Sequence, residues 1–195
     1  MALFRFSAPH DITLVVRGEG VYLRPPQMAD HAAWAALREE SRAFLEPWEP
    51  LWPPDDLTRA AFRRRVRRYA EDLRRDLAYP FLLFRQDDDE LLGGLTLGLV
   101  RRGVAQACTL GYWTGMRHAR KGHMSRGVRA ALRFAFLDLG LQRVEAACLP
   151  NNIASITLLE KAGFQREGYA RRYLCIAGMW QDHLLFACLK DDLVL

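Results

Sequence analysis

The sequence has no apolar run near the ~18 residues that a membrane-spanning helix needs. Its best stretch, Leu91–Val100, is short and is broken by Gly93, Gly94 and Gly98. No membrane association is expected. The opening MALFRFSAPHD lacks a continuous apolar core and a small-residue cleavage site, so a cytoplasmic protein is expected rather than an exported one. Cysteine is sparse. Cys108, Cys148, Cys175 and Cys188 lie far apart with no CxxC pair, and read as small buried apolar residues in a reducing compartment. His10, His31, His118, His123 and His183 have no partners at metal-ligand spacing, which predicts no metal centre. Repeats and low-complexity linkers are missing, and lysine occurs only at Lys121, Lys161 and Lys190.

What is present is ordinary globular material. In 195 residues, 50% hydrophobic and 11% aromatic content supplies a core for a single domain spanning 1–195. The net charge of +5 is unevenly placed. Thr58–Asp76 holds eight arginines and three acids, so it carries the whole excess and the rest of the chain is neutral.

Periodicity gives the elements. Val21–Arg24 reads as a strand and Met28–Ser41 as a helix. Phe44–Asp56 (FLEPWEPLWPPDD) has too many prolines for a helix interior and reads as a rigid aromatic loop. Leu57–Leu77 is a second helix, apolar at Phe62, Val66, Tyr69, Ala70 and Leu73, with arginines on the other face. Pro80–Arg85, Leu91–Arg101 and Ala105–Thr114 form an antiparallel meander by loop length. Gly122–Leu139 is the most strongly patterned helix, stopped by Gly140. The strand Arg143–Leu149, the helix Asn152–Ala162 and two strands within Phe164–Leu189, turning at Ala177-Gly178, complete the chain. The order β-α-α-β-β-β-α-β-α-β-β predicts a mixed α+β fold.

Two segments could carry chemistry. In Gly111–Gly127 (GYWTGMRHARKGHMSRG) a strand runs through a polar loop into a helix start. Free N–H groups and the helix dipole suit a phosphate there, and Gly122 allows close backbone approach. Arg117, Arg120, Lys121, Arg126 and Arg129 add positive charge, although a solvated basic helix would look the same. In Pro150–Phe164 (PNNIASITLLEKAGF), Asn152 and Ser155 share a face in the first helical turn, where they could bond a ligand or simply cap the helix.

Taken in this order, FLEPWEP (44–50), LGYWTG (110–115), KGHM (121–124) and PNNIASITLLEKAGFQREGYARRYLCIAGMWQDHLLFA (150–187) resemble the GCN5-related N-acetyltransferase (GNAT) superfamily, and within it the RimJ/RimL group. The RimJ branch is most similar. The resemblance covers about residues 20–192. It implies a central mixed, mostly antiparallel sheet with two splayed parallel strands, here Cys108–Thr114 and Arg143–Leu149, and flanking helices. It implies acetyl-CoA as donor and no metal. The pantetheine arm would lie between the splayed strands near Tyr112, Trp113 and Met116, held also by Asn152. The pyrophosphate would sit on the amides of Arg120, Lys121, Gly122, His123, Met124 and Ser125. The superfamily pattern at this loop is Arg or Gln, two residues, Gly, one residue, Gly or Ala. Here Ala119 replaces the first residue and Met124 the last, with Arg120 next to the lost charge.

The implied reaction is direct attack of an amine on the thioester, with the oxyanion held by backbone N–H groups. An α-amine has a pKa of about 7.7–8.0, so it needs less help in losing a proton than a lysine at about 10.4. The resemblance assigns Glu49 as base or amine-orienting carboxylate, with Glu46 as competitor. It assigns Ser155 as the group beside the departing sulfur, with Tyr112 and Tyr173 as further candidates. The glutamate that some RimL-branch relatives use falls at Leu174 and is missing. Phe44, Trp48, Trp52 and Trp180 would form the acceptor pocket. The acceptor is expected to be a protein N-terminus, as in a ribosomal protein. A small amine such as a polyamine, amino sugar or amino acid is an alternative, and so is noncatalytic ribosome or RNA binding through the arginines of 58–76. Monomer and homodimer both remain open.

Overall fold

The computed structural model describes residues 14–192, so His10 and the stretch read for an export signal lie outside the described residues. Gly20, at φ +65°, closes a tight hairpin between β1 (Val16–Gly18) and β2 (Val21–Arg24). A 3₁₀ turn leads into α1 (His31–Glu40), followed by the single turn α2 (Arg42–Leu45) and by α3 (Arg59–Arg74). The expected meander is β3 (Tyr79–Arg85), β4 (Leu91–Arg101) and β5 (Ala107–Thr114). Helix α4 (His123–Arg133) crosses to β6 (Arg143–Cys148). Helix α5 (Ile153–Lys161) leads to the hairpin β7 (Gln165–Ile176) and β8 (Met179–Leu189). The described strands form one sheet in the order β1-β2-β3-β4-β5-β6-β8-β7, in which only β5 and β6 pair in parallel.

Strand alternation sends side chains to two cores. Leu110, Val144, Ala146, Cys148, Leu184 and Phe186 face α4 and α5, meeting Val128, Leu132 and Leu159. On the other face Leu82, Phe84 and Leu91 meet Trp34, Leu37 and Phe62 from α1 and α3. Helix α4 lies close on the sheet, since a Cβ at Gly127 would fall 2.9 Å from the Leu83 side chain.

Three expectations change. Strand β1 was not foreseen, because three residues are too few to show alternation. The loop Phe44–Asp56 opens with the end of α2 and a 3₁₀ turn, Glu46–Trp48, in which Pro47 occupies an early position where a missing N–H costs nothing. The long helix expected to reach Leu139 is α-helical only to Arg133 and continues as a π turn over Phe134–Asp138.

Candidate active site

The register of β5 against β6 builds the centre of the site. Pairing runs from Ala107↔Arg143 to Leu110↔Ala146 and then stops. Gly111–Thr114 continue on β5 paired only with β4, while β6 turns to β8 as its sole partner. The two strands therefore part beyond Leu110, and main-chain groups on that side of β5 face an opening inside the sheet.

Tyr112 stands at the opening on the α5 side. Its hydroxyl lies 2.6 Å from Ser155 Oγ. Ser155 is fixed by the cap of α5, in which Asn152 Oδ1 accepts the Ser155 N–H at 3.1 Å. The structure shows the capping reading of Asn152, and the cap fixes the backbone of the turn that carries Ser155. Burial raises the Tyr112 pKa, an effect the Ser155 hydrogen bond partly offsets, so the phenol keeps its proton. Cys148, at the end of β6, is also raised by burial and partly offset by Ser155. This thiol beside the serine was not singled out from the sequence.

The loop from β5 to α4 carries the anion-binding features. Gly122 adopts the left-handed conformation at φ +76° as N-cap of α4, and a Cβ there would meet nothing within 4 Å. No side chain caps this helix, and the first helical N–H to close a bond is that of Arg126, to Gly122 O. The amides of His123, Met124 and Ser125 are left without an acceptor inside the helix. Arg120, at φ +60°, turns the chain just before them. The buried His118 has its pKa pushed down to about 4, by burial first and then by Arg117, Lys121 and Arg85. His123 is lowered by burial and then by Arg126. Burial is the main reason both imidazoles resist protonation, and the neighbouring cations add to it. Along α4, Arg126, Arg129 and Arg133 line a cavity of about 420 Å³ together with Arg17 and Lys161, with the carboxylates Glu19 and Asp192 also on its wall.

Met116, expected beside the pantetheine arm, has its backbone groups engaged within the chain. Its N–H donates to Ser41 Oγ at 2.8 Å and its carbonyl accepts from Ala119 N at 3.2 Å, so both groups are committed. The fully buried Ser41 was missed in the sequence and anchors the end of β5 to α1.

Trp113 projects to the opposite face. Arg38, 7% exposed, lies between two indoles, with its guanidinium carbon 4.0 Å from the Trp52 ring centroid and 4.9 Å from that of Trp113. Arg38 holds Glu49 in two parallel hydrogen bonds, 2.8 Å to Oε1 and 2.6 Å to Oε2. Trp52 Nε1 adds a third, 2.8 Å to Oε2. Glu49 is thus a fixed, charge-paired carboxylate, and its carbonyl accepts from Ala177 N in the β7–β8 turn. Glu46, exposed on the surface, lies 3.9 Å from Arg42. Arg38 was overlooked, although a lone cation on the apolar stripe of Trp34 and Leu37 was the available signal. Trp52 has Arg38 and Arg42 against its ring, whereas Trp180 and Phe44 remain exposed.

Part of the arginine charge of α3 is paired. Arg64 and Arg65 pair with Asp55 and Asp56, Arg65 also packs over Trp34, and Arg74 pairs with Glu71. Among the described residues no group of histidine, cysteine and carboxylate side chains could hold a metal, and no helix is long and apolar enough to cross a membrane.

Residues 21–165 match the family model described as an acetyltransferase (GNAT) domain. The chain is 36% identical over 178 residues to the probable N-acetyltransferase YjcK of Bacillus subtilis, covering 91% of this chain and 98% of that one. It is also 36% identical over 165 residues to the ribosomal protein uS5-alanine N-acetyltransferase of Escherichia coli, covering 84% and 85%. The structure of Mycobacterium smegmatis RimJ in complex with CoA-disulfide superposes with a TM-score of 0.85 at 32% identity, covering 93% of this chain and 87% of that one.

Proposed function

The chain belongs to the acetyltransferase (GNAT) family, and from that premise we propose that it transfers the acetyl group of acetyl-CoA to the N-terminal α-amine of a protein, a ribosomal protein being the leading candidate. The observation that carries this reading is the parting of β5 and β6 beside the uncapped start of α4, with the Tyr112–Ser155 pair at the gap. An extended arm with amide groups adds to β5 as an extra strand. A pyrophosphate rests on the amides of His123, Met124 and Ser125, near Arg120 and Lys121. The basic cavity beginning one turn along α4 suits a further phosphate of the same donor.

The residues then divide the work. Ser155, backed by the protonated Tyr112, donates to the departing sulfur as the carbon–sulfur bond breaks. Glu49 orients the amine from the other face. Its charge is balanced by Arg38, which suits holding a cation or an N–H better than removing a proton. The relative from E. coli acts on an alanine of ribosomal protein uS5, so peptides beginning with alanine are the first acceptors to try. Incubation with acetyl-CoA and a panel of such peptides and free polyamines, read by mass spectrometry, tests this. One acetyl group on the α-amine of a peptide is expected. Turnover of polyamines alone would move the assignment to small amines.

A further inference from the structure

We propose that His183 on β8 is the base that takes the proton from the attacking amine, a role that rests on the acetyl-transfer reading above. The sheet register carries the argument. Leu110 lies level with Ala146, so Tyr112 comes level with Cys148, which pairs with Leu184. One residue further on, Trp113, Leu149 and His183 share a level. Tyr112, Cys148 and Leu184 all face α4 and α5. Alternation therefore puts His183 on the opposite face, the one from which Trp113 meets Arg38. His183 and Trp113 thus lie on the same face, on the strands either side of β6, at the level where β6 ends. A thioester in the opening between β5 and β6 has the Ser155–Tyr112 pair on one side and His183 on the other. An amine attacking opposite the sulfur-side donors arrives at His183.

The ring is prepared for the task. His183 is 2% exposed, and its Nδ1 lies 3.0 Å from the carbonyl of Gln181. A carbonyl only accepts, so Nδ1 carries a proton, and in the neutral ring the lone pair is then on Nε2. The Tyr173 ring packs edge-on at 5.7 Å and fixes the imidazole plane. Among the described residues no carboxylate pairs with the ring, and its neighbours on this face, Leu174 and Gln181, are neutral. Glu49, whose carbonyl is tied to the same hairpin, is already balanced by Arg38. In the step itself, the amine nitrogen bonds the acetyl carbon and its proton passes to Nε2. The carbon–sulfur bond breaks and the sulfur takes a proton from the Ser155–Tyr112 pair. Water then returns both side chains to their starting protonation.

His183→Ala and His183→Gln test this, on the full chain, with a peptide that the wild type acetylates. General-base loss is expected to lower kcat about 100-fold at neutral pH. Acetyl-CoA affinity by calorimetry should be unchanged, the rate should climb with pH as the free amine deprotonates, and added imidazole should restore activity to His183→Ala. Wild-type rates and an unchanged pH profile in both variants would overturn the assignment. So would a folded His183→Ala variant that imidazole does not rescue. If His183→Ala fails to fold, the pH profile of His183→Gln decides alone. A wild type that acetylates no amine defeats the functional reading instead, so the two failures are distinguishable.

Discussion

Cutting Glu49 back to alanine separates a structural clamp from an exposed base. The substitution leaves the Arg38 guanidinium buried between Trp52 and Trp113 with no counter-charge. Removing one partner of a buried ion pair costs about 3–5 kcal/mol. The Glu49 side chain is 20% exposed, against 9% for Arg38, so water relieves part of this and the low end, about 3 kcal/mol, applies. For a domain of this size each kcal/mol moves Tm by about 2–4 °C, giving a drop of about 6–12 °C. The double variant Arg38→Met, Glu49→Ala removes the stranded charge together with its partner. It should recover part of the loss, lacking the stacking of the guanidinium on Trp52 and Trp113 and the Trp52 Nε1 hydrogen bond to Glu49, each worth about 1 kcal/mol. Urea denaturation of wild type, both singles and the double gives the coupling directly. Losses below about 0.5 kcal/mol in Glu49→Ala, or losses that simply add in the double, would refute the clamp.

Ser155→Ala should lower turnover while leaving acetyl-CoA affinity intact in calorimetry, and unchanged turnover would remove Ser155 from the departure of the sulfur. Gly122→Val should abolish acetyl-CoA binding with the domain still folded by circular dichroism, because φ +76° is strained for a branched residue at the mouth of the amide cluster. Gly94→Ala should cost stability and raise KM for the acceptor, since its Cβ would fall 2.4 Å from Trp113 Nε1 and push the indole off Arg38. A KM equal to wild type in that variant would show that the indole does not shape the acceptor side.

Local signals made the glycine turn into α4 and the α5 cap legible in the sequence. Gly122 followed by an amphipathic run marks a helix start, and Asn152 three residues before Ser155 marks a cap. Pairings across the sheet were not legible. Tyr112 and Ser155 are 43 positions apart and meet only because β5 leaves β6 at Leu110. Arg38 and Glu49 are joined by a proline-stiffened loop whose path no periodicity describes. The charge of 58–76 was plain in the sequence, but the pairing of Arg64 and Arg65 with Asp55 and Asp56 depended on how the loop before α3 folds back. His183 became readable only after the register placed it on one face.

The parting of β5 from β6 also has a consequence for the life of the protein. Sheets usually confine their unpaired amides to an outer rim, where they are guarded against strand addition. Here Gly111–Thr114 put such a rim in the interior. Whatever pairs with it binds the folded chain and not the unfolded one, and so adds stability as the logarithm of its concentration over its dissociation constant. Resistance to heat and proteolysis then rises with the concentration of whatever fills the gap, rather than being fixed by the chain alone.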